Sequence, residues 1–192
     1  QVDTVLVEQT IYEQVLPHVP VPQLRYYGTL QKPGEQVRWL FLENASGDAY
    51  SAHAPAHRLA AGRWLGRLHT AAQGIDAAAS LPDRGPDHYL QQMRTAWTAI
   101  HEGLATPDLN RIDRDVLLGI LALYEQLEAG WQQIESVCRT LPNTLVHGDF
   151  AGRNMCLRPG PQGPTIRVYD WEWAGWGSPV VDLAQTPPGI TR

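Results

Sequence analysis

The residue types best suited to chemistry cluster between Leu145 and Ala184. A run His147-Gly148-Asp149-Phe150-Ala151-Gly152-Arg153-Asn154 is followed by an apolar stretch, a Pro/Gly turn and a second apolar stretch. The second stretch ends in Tyr169-Asp170-Trp171-Glu172-Trp173, and Asp182-Leu183-Ala184 follows another turn. Asp149 on a loop can accept a proton from a hydroxyl held within hydrogen-bond reach. Asn154 offers a neutral amide oxygen and Asp170 a charged one. Mg2+ takes oxygen ligands, few of them from protein and the rest from phosphate and water. An amide and a carboxylate at neighbouring strand ends suit that need, setting a base against a metal-held triphosphate. Taken singly, Asp and Asn are also ordinary turn residues. Glu172 could assist a metal, line an acceptor site or stand as a solvated strand-end charge. A metal-dependent hydrolase using His147, Asp149, Asp170 and Glu172 is a third arrangement, although such sites generally use more histidine.

The elements that must position these residues are legible in the spacing. Thr4 to Leu16 reads as a helix with Val7, Ile11 and Val15 on one stripe, ended by Pro17. Glu8 lies beside that stripe and by pattern alone reads as a solvated helix charge. Leu24 to Thr29 and Val37 to Leu42 read as strands around a Lys32-Pro33-Gly34-Glu35 turn. The second strand runs into Glu43-Asn44-Ala45-Ser46-Gly47, a small polar linker able to act as a hinge. Ala56 to Gln73 is a helix with Ala61, Leu65, Leu68 and Ala72 facing a core, and His69 borders it as a core or rim histidine with one hydrogen bond. Pro86 to Gly103 is another helix. From about Asp113 the spacing predicts one long helix through Cys138, with Leu117, Ile120, Tyr124, Leu127, Trp131 and Ile134 as core. Thr144–Val146, Met155–Arg158 and Thr165–Tyr169 read as strands, the last two as a hairpin around 159–164. This order is α+β, with a division near Glu43 to Ala49.

Bulk properties narrow the class. The chain has 192 residues, a formal net charge of −5 and a single lysine, Lys32. No basic block points to nucleic acid. No apolar run reaches bilayer-spanning length and no signal-peptide layout opens the chain, so no membrane partner is expected. Cys138 and Cys156 do not form a disulfide framework, which favours a cytoplasmic setting. No feature sets an oligomeric state.

Taken together, the block from His147 to Asn154 and the block from Tyr169 to Pro179, closed by Asp182-Leu183-Ala184, resemble the catalytic core of eukaryotic-like kinases. In detail they are similar to the aminoglycoside phosphotransferase/choline kinase family. The resemblance implies an α+β protein-kinase-like fold, with a partial N-lobe and hinge over residues 1–45 and a helical C-lobe over 46–192. It implies ATP-dependent transfer of the γ-phosphoryl group to a hydroxyl of a small molecule. Asp149 would be the catalytic base, and Asn154 and Asp170 would hold Mg2+. His147 and Asp182 would support the loop, Asp182 by accepting backbone N–H bonds. Glu8 would be the N-lobe helix glutamate that pairs with a phosphate-binding lysine. The Glu43 carbonyl and Ala45 amide would hold adenine, with Cys156 and Tyr169 lining its pocket. Glu172 is a candidate for the acceptor site. Acidic residues around Asp149, Glu172 and Asp182 favour a cationic acceptor, aminoglycoside-like or an amino alcohol. Trp171, Trp173 and Trp176 could form an aromatic wall for it, core packing being the simpler role.

The family's Gly-rich loop and strand-borne lysine have no counterpart ahead of Glu8, and Lys32 lies in the expected turn. The C-terminal helices are also lacking, and Gln185 to Arg192 reads as a loose tail. The alternative reading is therefore a non-catalytic, pseudokinase-like binding module or an inactive fragment.

Overall fold

A computed structural model describes residues 3–34 and 37–185. The chain forms two compact units, Gln1–Asp83 with Pro142–Arg192, and Arg84–Leu141.

The first unit opens with α1 (Thr4–Thr10), capped by the Asp3 side chain accepting the Leu6 N–H at 3.1 Å. The helical path continues to Leu16 as expected but changes pitch. Ile11–Val15 is π-helical and Leu16–His18 is a 3-10 turn. Pro17 has no N–H to continue the α-type ladder, and the Leu16 N–H closes back on the Ile11 carbonyl instead. Val7, Ile11 and Val15 are buried, as their spacing predicts. Strands β1 (Tyr26–Gln31) and β2 (Arg38–Leu42) form an antiparallel pair with Leu30 opposite Trp39. Tyr26, Leu40 and Leu42 pack on the core. Trp39 and Phe41 alternate to the exposed face. Glu35, part of the expected turn, lies outside the described residues, as does the expected tail from Thr186. A short strand the sequence did not announce, β3 (Asp48–Ala49), follows the linker. Then come α2 (Pro55–Ala72), the single turn α3 (Asp76–Ala79) and the two-residue strand β4 (Asp83–Arg84).

The second unit consists of α4 (Pro86–Leu104), α5 (Arg111–Ala129) and α6 (Trp131–Arg139). The single long helix expected through Cys138 is broken at Gly130, which has φ −93° and ψ 3° and ends α5 while starting α6. Glycine loses the most backbone freedom in a helix, so the break falls there. The stripe expected to be core is only half-buried, at Leu117, Ile120, Tyr124, Trp131 and Cys138. Of α5 only Leu121 is buried, while Leu127 and Ile134 are 39% and 37% exposed. Three helices alone have too little mass to enclose the apolar face of each. An Arg94–Glu128 ion pair at 2.6 Å joins α4 to α5.

The chain then returns to the first unit with β5 (Thr144–Val146), β6 (Met155–Arg158), β7 (Thr165–Val168), β8 (Gly175–Gly177) and α7 (Val180–Gln185). β6 pairs with β7 as the expected hairpin, with Cys156 opposite Arg167. β3 extends that sheet on the other side of β6. β5 pairs with β8, with Leu145 opposite Trp176. Met155, Leu157, Ile166 and Val168 point into one core with Ile11, Leu68, Leu145 and Phe150. Trp64 stacks on Phe150 at 5.7 Å and meets Trp171 at 6.0 Å, so α2 and the strand ends share one aromatic centre. Among the described residues no helix is long and apolar enough to cross a membrane, and both cysteines are free.

Candidate active site

The loop from His147 to Asn154 is fixed from below. Asp182, fully buried at the start of α7, accepts the His147 N–H on both oxygens at 3.0 Å and the Gly148 N–H at 3.0 Å. His69 meets the same carboxylate at 3.0 Å, which is the single side-chain bond expected of it. Gln185, one turn along α7, donates to the Gly148 carbonyl at 2.7 Å. Gly148 has φ +78°, and a Cβ there would stand 2.2 Å from the Trp173 carbonyl oxygen. Only glycine admits both the conformation and the approach.

His147 is buried, and both ring nitrogens are engaged. Nε2 bonds the Tyr169 carbonyl at 3.1 Å, and Nδ1 accepts the Asp149 N–H at 3.3 Å. An acceptor on one side and a donor on the other assign the neutral tautomer protonated at Nε2. Burial pushes the ring's pKa below its ordinary value, against the pull of Asp182. No ring nitrogen is left for a metal. Among the described residues no group of three or more His, Cys, Asp or Glu side chains is placed to hold one. The hydrolase arrangement is therefore not built.

Asp149 and Asn154 meet directly. Asn154, buried in the 3-10 turn Gly152–Asn154, donates from Nδ2 to the Asp149 carbonyl at 3.0 Å and to Asp149 Oδ2 at 2.9 Å. Arg153 donates to the same Oδ2. The other carboxylate oxygen, Oδ1, has no partner among the described residues and is the one available to a hydroxyl. Asn154 spends its N–H groups on Asp149, and its amide oxygen has no hydrogen-bond partner among the described residues. The Asn154 carbonyl accepts the Tyr169 N–H at 3.1 Å, which ties the end of β7 to the loop. Asp170 comes next, with φ +70°, the one described non-glycine residue with positive φ. Such a backbone costs about 1 kcal/mol or more and persists where its surroundings impose it. The Asp170 side chain has no hydrogen-bond partner among the described residues. An amide oxygen and a carboxylate, both without hydrogen-bond partners among the described residues, are of the oxygen donor type that Mg2+ prefers.

Glu8 sits half-buried, not solvated as its spacing alone suggests. Its Oε1 accepts the Trp171 N–H at 3.2 Å, immediately after Asp170. Burial raises its pKa, and the neighbouring Asp170 and Glu172 carboxylates raise it further. No cation pairs with it among the described residues. Glu172 is half-buried with no hydrogen bond of its own among the described residues. The aromatic residues nearby do not make a common wall. Trp171 is fully buried against His147 at 4.5 Å, Trp176 is half-buried in β8, and Trp173 is 46% exposed.

The linker after β2 is held from β6. Glu43 bonds the Arg25 N–H at 3.1 Å and Arg158 at 2.7 Å, and Arg158 holds its carboxyl below the usual range. The Glu43 carbonyl and the Ala45 N–H have no hydrogen-bond partner among the described residues. Strand alternation puts Cys156, Arg158, Arg167 and Tyr169 on one face of the β6–β7 hairpin, opposite its core face. Cys156 is buried there, and the Tyr169 hydroxyl donates to the Arg153 carbonyl at 2.9 Å.

Sequence reasoning did not single out Arg153, Arg158 or Gln185. Arg153 could have been found from its place four residues after Asp149 in a turn. Arg158 binds partners 112 to 115 residues away, and no local pattern reports that.

This is the architecture of a protein-kinase-like fold. Aminoglycoside 2'-phosphotransferase-IIIa in its GDP complex is similar with a TM-score of 0.63 and 16% identity, over 95% of this chain and 60% of that one. Ethanolamine kinase from Plasmodium vivax is similar with a TM-score of 0.56 and 16% identity, over 95% and 50%. An aminoglycoside phosphotransferase from Alicyclobacillus acidocaldarius gives 0.56 and 14%, over 95% and 57%. The chain thus spans 50 to 60% of the length of these structures. No curated protein sequence matches it. The model of the phosphotransferase enzyme family (APH) matches residues 3–187, and the chain belongs to that family.

Proposed function

We propose that this chain carries the phosphoryl-transfer centre of an ATP-dependent small-molecule kinase. The observation that supports this most is Asp149 bonded to Asn154, with Asp170 tied in through the Tyr169 N–H to the Asn154 carbonyl, on backbone held by Asp182 and Glu8. Asp149 Oδ1, the Asn154 amide oxygen and the Asp170 carboxylate have no hydrogen-bond partner among the described residues. Asp149 Oδ1 accepts the proton of the acceptor hydroxyl, a contribution of about 10²–10⁴ in rate. Arg153 and Asn154 on Oδ2 keep the carboxylate turned so that Oδ1 faces the acceptor. Asn154 and Asp170 are the residues that would hold Mg2+, which neutralises phosphate charge when bound. His147, held neutral by burial, braces the loop and moves no proton. Glu43 and Ala45 present a carbonyl and an N–H that match the hydrogen-bonding edge of adenine, with Cys156 and Tyr169 beneath.

Residues 1–45 then serve as part of an upper lobe and hinge, and residues from 46 as the lower lobe. The acceptor is a small hydroxyl compound bearing an amine, favoured by the carboxylates of Glu172 and Asp149, and the setting is cytoplasmic. The test is ADP release by the product of the complete reading frame, with aminoglycosides, choline, ethanolamine and neutral sugars as acceptors. Stimulation by an amine-bearing alcohol is expected. No stimulation by any acceptor would contradict the reading.

One observation favours a second reading, a nucleotide-binding module without turnover. Among the described residues the Glu8 carboxylate bonds the Trp171 N–H and meets no cation. That reading predicts Mg-ATP binding with no ADP release.

A further inference from the structure

We infer that Arg158 is a positioning residue for the nucleobase, setting the Glu43–Ser46 linker in the shape that presents the Glu43 carbonyl and the Ala45 N–H. The inference rests on the nucleotide reading above and assigns a determinant within it.

Three nitrogens of one guanidinium take three acceptors on the linker. Nη1 donates to Glu43 Oε1 at 2.7 Å, Nη2 to the Asn44 carbonyl at 2.9 Å and Nε to the Ser46 carbonyl at 2.9 Å. The planar fork of arginine suits such a divergent set, whereas lysine supplies a point charge. Glu43 is itself fastened to the chain before β1, through its own N–H to the Arg25 carbonyl at 2.8 Å and through Oε2 to the Arg25 N–H. The stitching continues along β6. Gly47 has φ +151°, and a Cβ there would lie 2.3 Å from the Leu157 carbonyl oxygen. Asp48 and Ala49 then pair with Leu157 and Cys156.

Without these ties, a linker of small and polar residues would lose conformational freedom on ordering around a base. Arg158 meets that requirement in advance. It occupies the side chain of Glu43 and the carbonyls of Asn44 and Ser46, and leaves the Glu43 carbonyl and the Ala45 N–H unpaired among the described residues. The guanidinium itself touches neither of those two groups, so it acts through the linker.

The test compares the full chain with Arg158→Met and Arg158→Lys by calorimetry, using adenosine and Mg-ATP as probes. Adenosine carries no phosphate, so a loss seen with it is not a general effect of removing a positive charge. Arg158→Met is expected to weaken adenosine about tenfold or more, with a smaller loss in Arg158→Lys and little change in the unfolding midpoint. Asp170→Ala should weaken Mg-ATP and leave adenosine binding as it was. Adenosine affinity unchanged in a folded Arg158→Met protein overturns the inference. Failure of the unsubstituted chain to bind either probe contradicts the nucleotide reading instead. Amide hydrogen exchange at Ser46 then decides the Arg158 part. Faster exchange in Arg158→Met supports its hold on the linker, and unchanged exchange overturns it.

Discussion

Both carboxylate oxygens of Asp182 accept the backbone N–H of His147, at 3.0 Å each, from a fully buried position. One side chain on α7 therefore sets the start of the loop that carries Asp149 and Asn154. Asp182→Asn removes the buried charge and turns an amide donor toward the His147 N–H, which both oxygens accept. The expected loss is about 3 kcal/mol, read from urea unfolding at constant m-value. A loss well below 1 kcal/mol would mean that the loop is held by other contacts.

Gly148 makes the complementary prediction. Gly148→Ala forces a side chain against the Trp173 carbonyl at a positive φ, so a loss of about 2 kcal/mol or more is expected. Turnover should fall with it, since Asp149 is the next residue. A fully stable, fully active alanine variant would show that the loop can adopt another path.

The fold was legible wherever apolar period and chain breakers agreed. Val7, Ile11 and Val15 on one stripe, α2 over Pro55–Ala72 and the β6–β7 hairpin follow from local pattern. The break at Gly130 was not, because an apolar stripe continued across a residue whose effect depends on backbone freedom rather than polarity. In the candidate site, Asp149, Asn154 and Asp170 stood out by type and spacing. Glu8 was misread by pattern because its acceptor role depends on Trp171, far along the chain. Arg158 escaped for the same reason.

Histidine 147 gives a pH dependence with a defined sign. Its folded-state pKa is depressed from 6.5 by burial. The associated stability is thus present above about pH 6.5 and lost as pH falls below it toward the folded value. His147→Gln keeps a donor for the Tyr169 carbonyl but cannot titrate. It should be less stable by roughly 1–2 kcal/mol at neutral pH and show a shallower decline in thermal midpoint between about pH 6.5 and 5. An equal decline in both proteins would place the titration elsewhere.

Glu8 has the opposite sign. Its folded-state pKa is raised from 4.5, first by burial. Stability linked to its protonation is present below about pH 4.5 and lost as pH rises through the folded value. Glu8→Gln keeps an acceptor for the Trp171 N–H and removes the buried charge. A higher thermal midpoint than the parent is expected at pH 7, with the difference shrinking as pH approaches 4.5. A lower midpoint at pH 7 would mean that the charged form is needed to hold Trp171.

The central claim is that Asp149 acts as base beside a nucleotide held by other residues. The direct measurement pairs Mg-ATP calorimetry with acceptor-dependent ADP release for Asp149→Ala, made in the complete reading frame. The account predicts Mg-ATP binding within a few-fold of the parent and turnover reduced by about 10²–10⁴. Undiminished turnover in the alanine variant would contradict it.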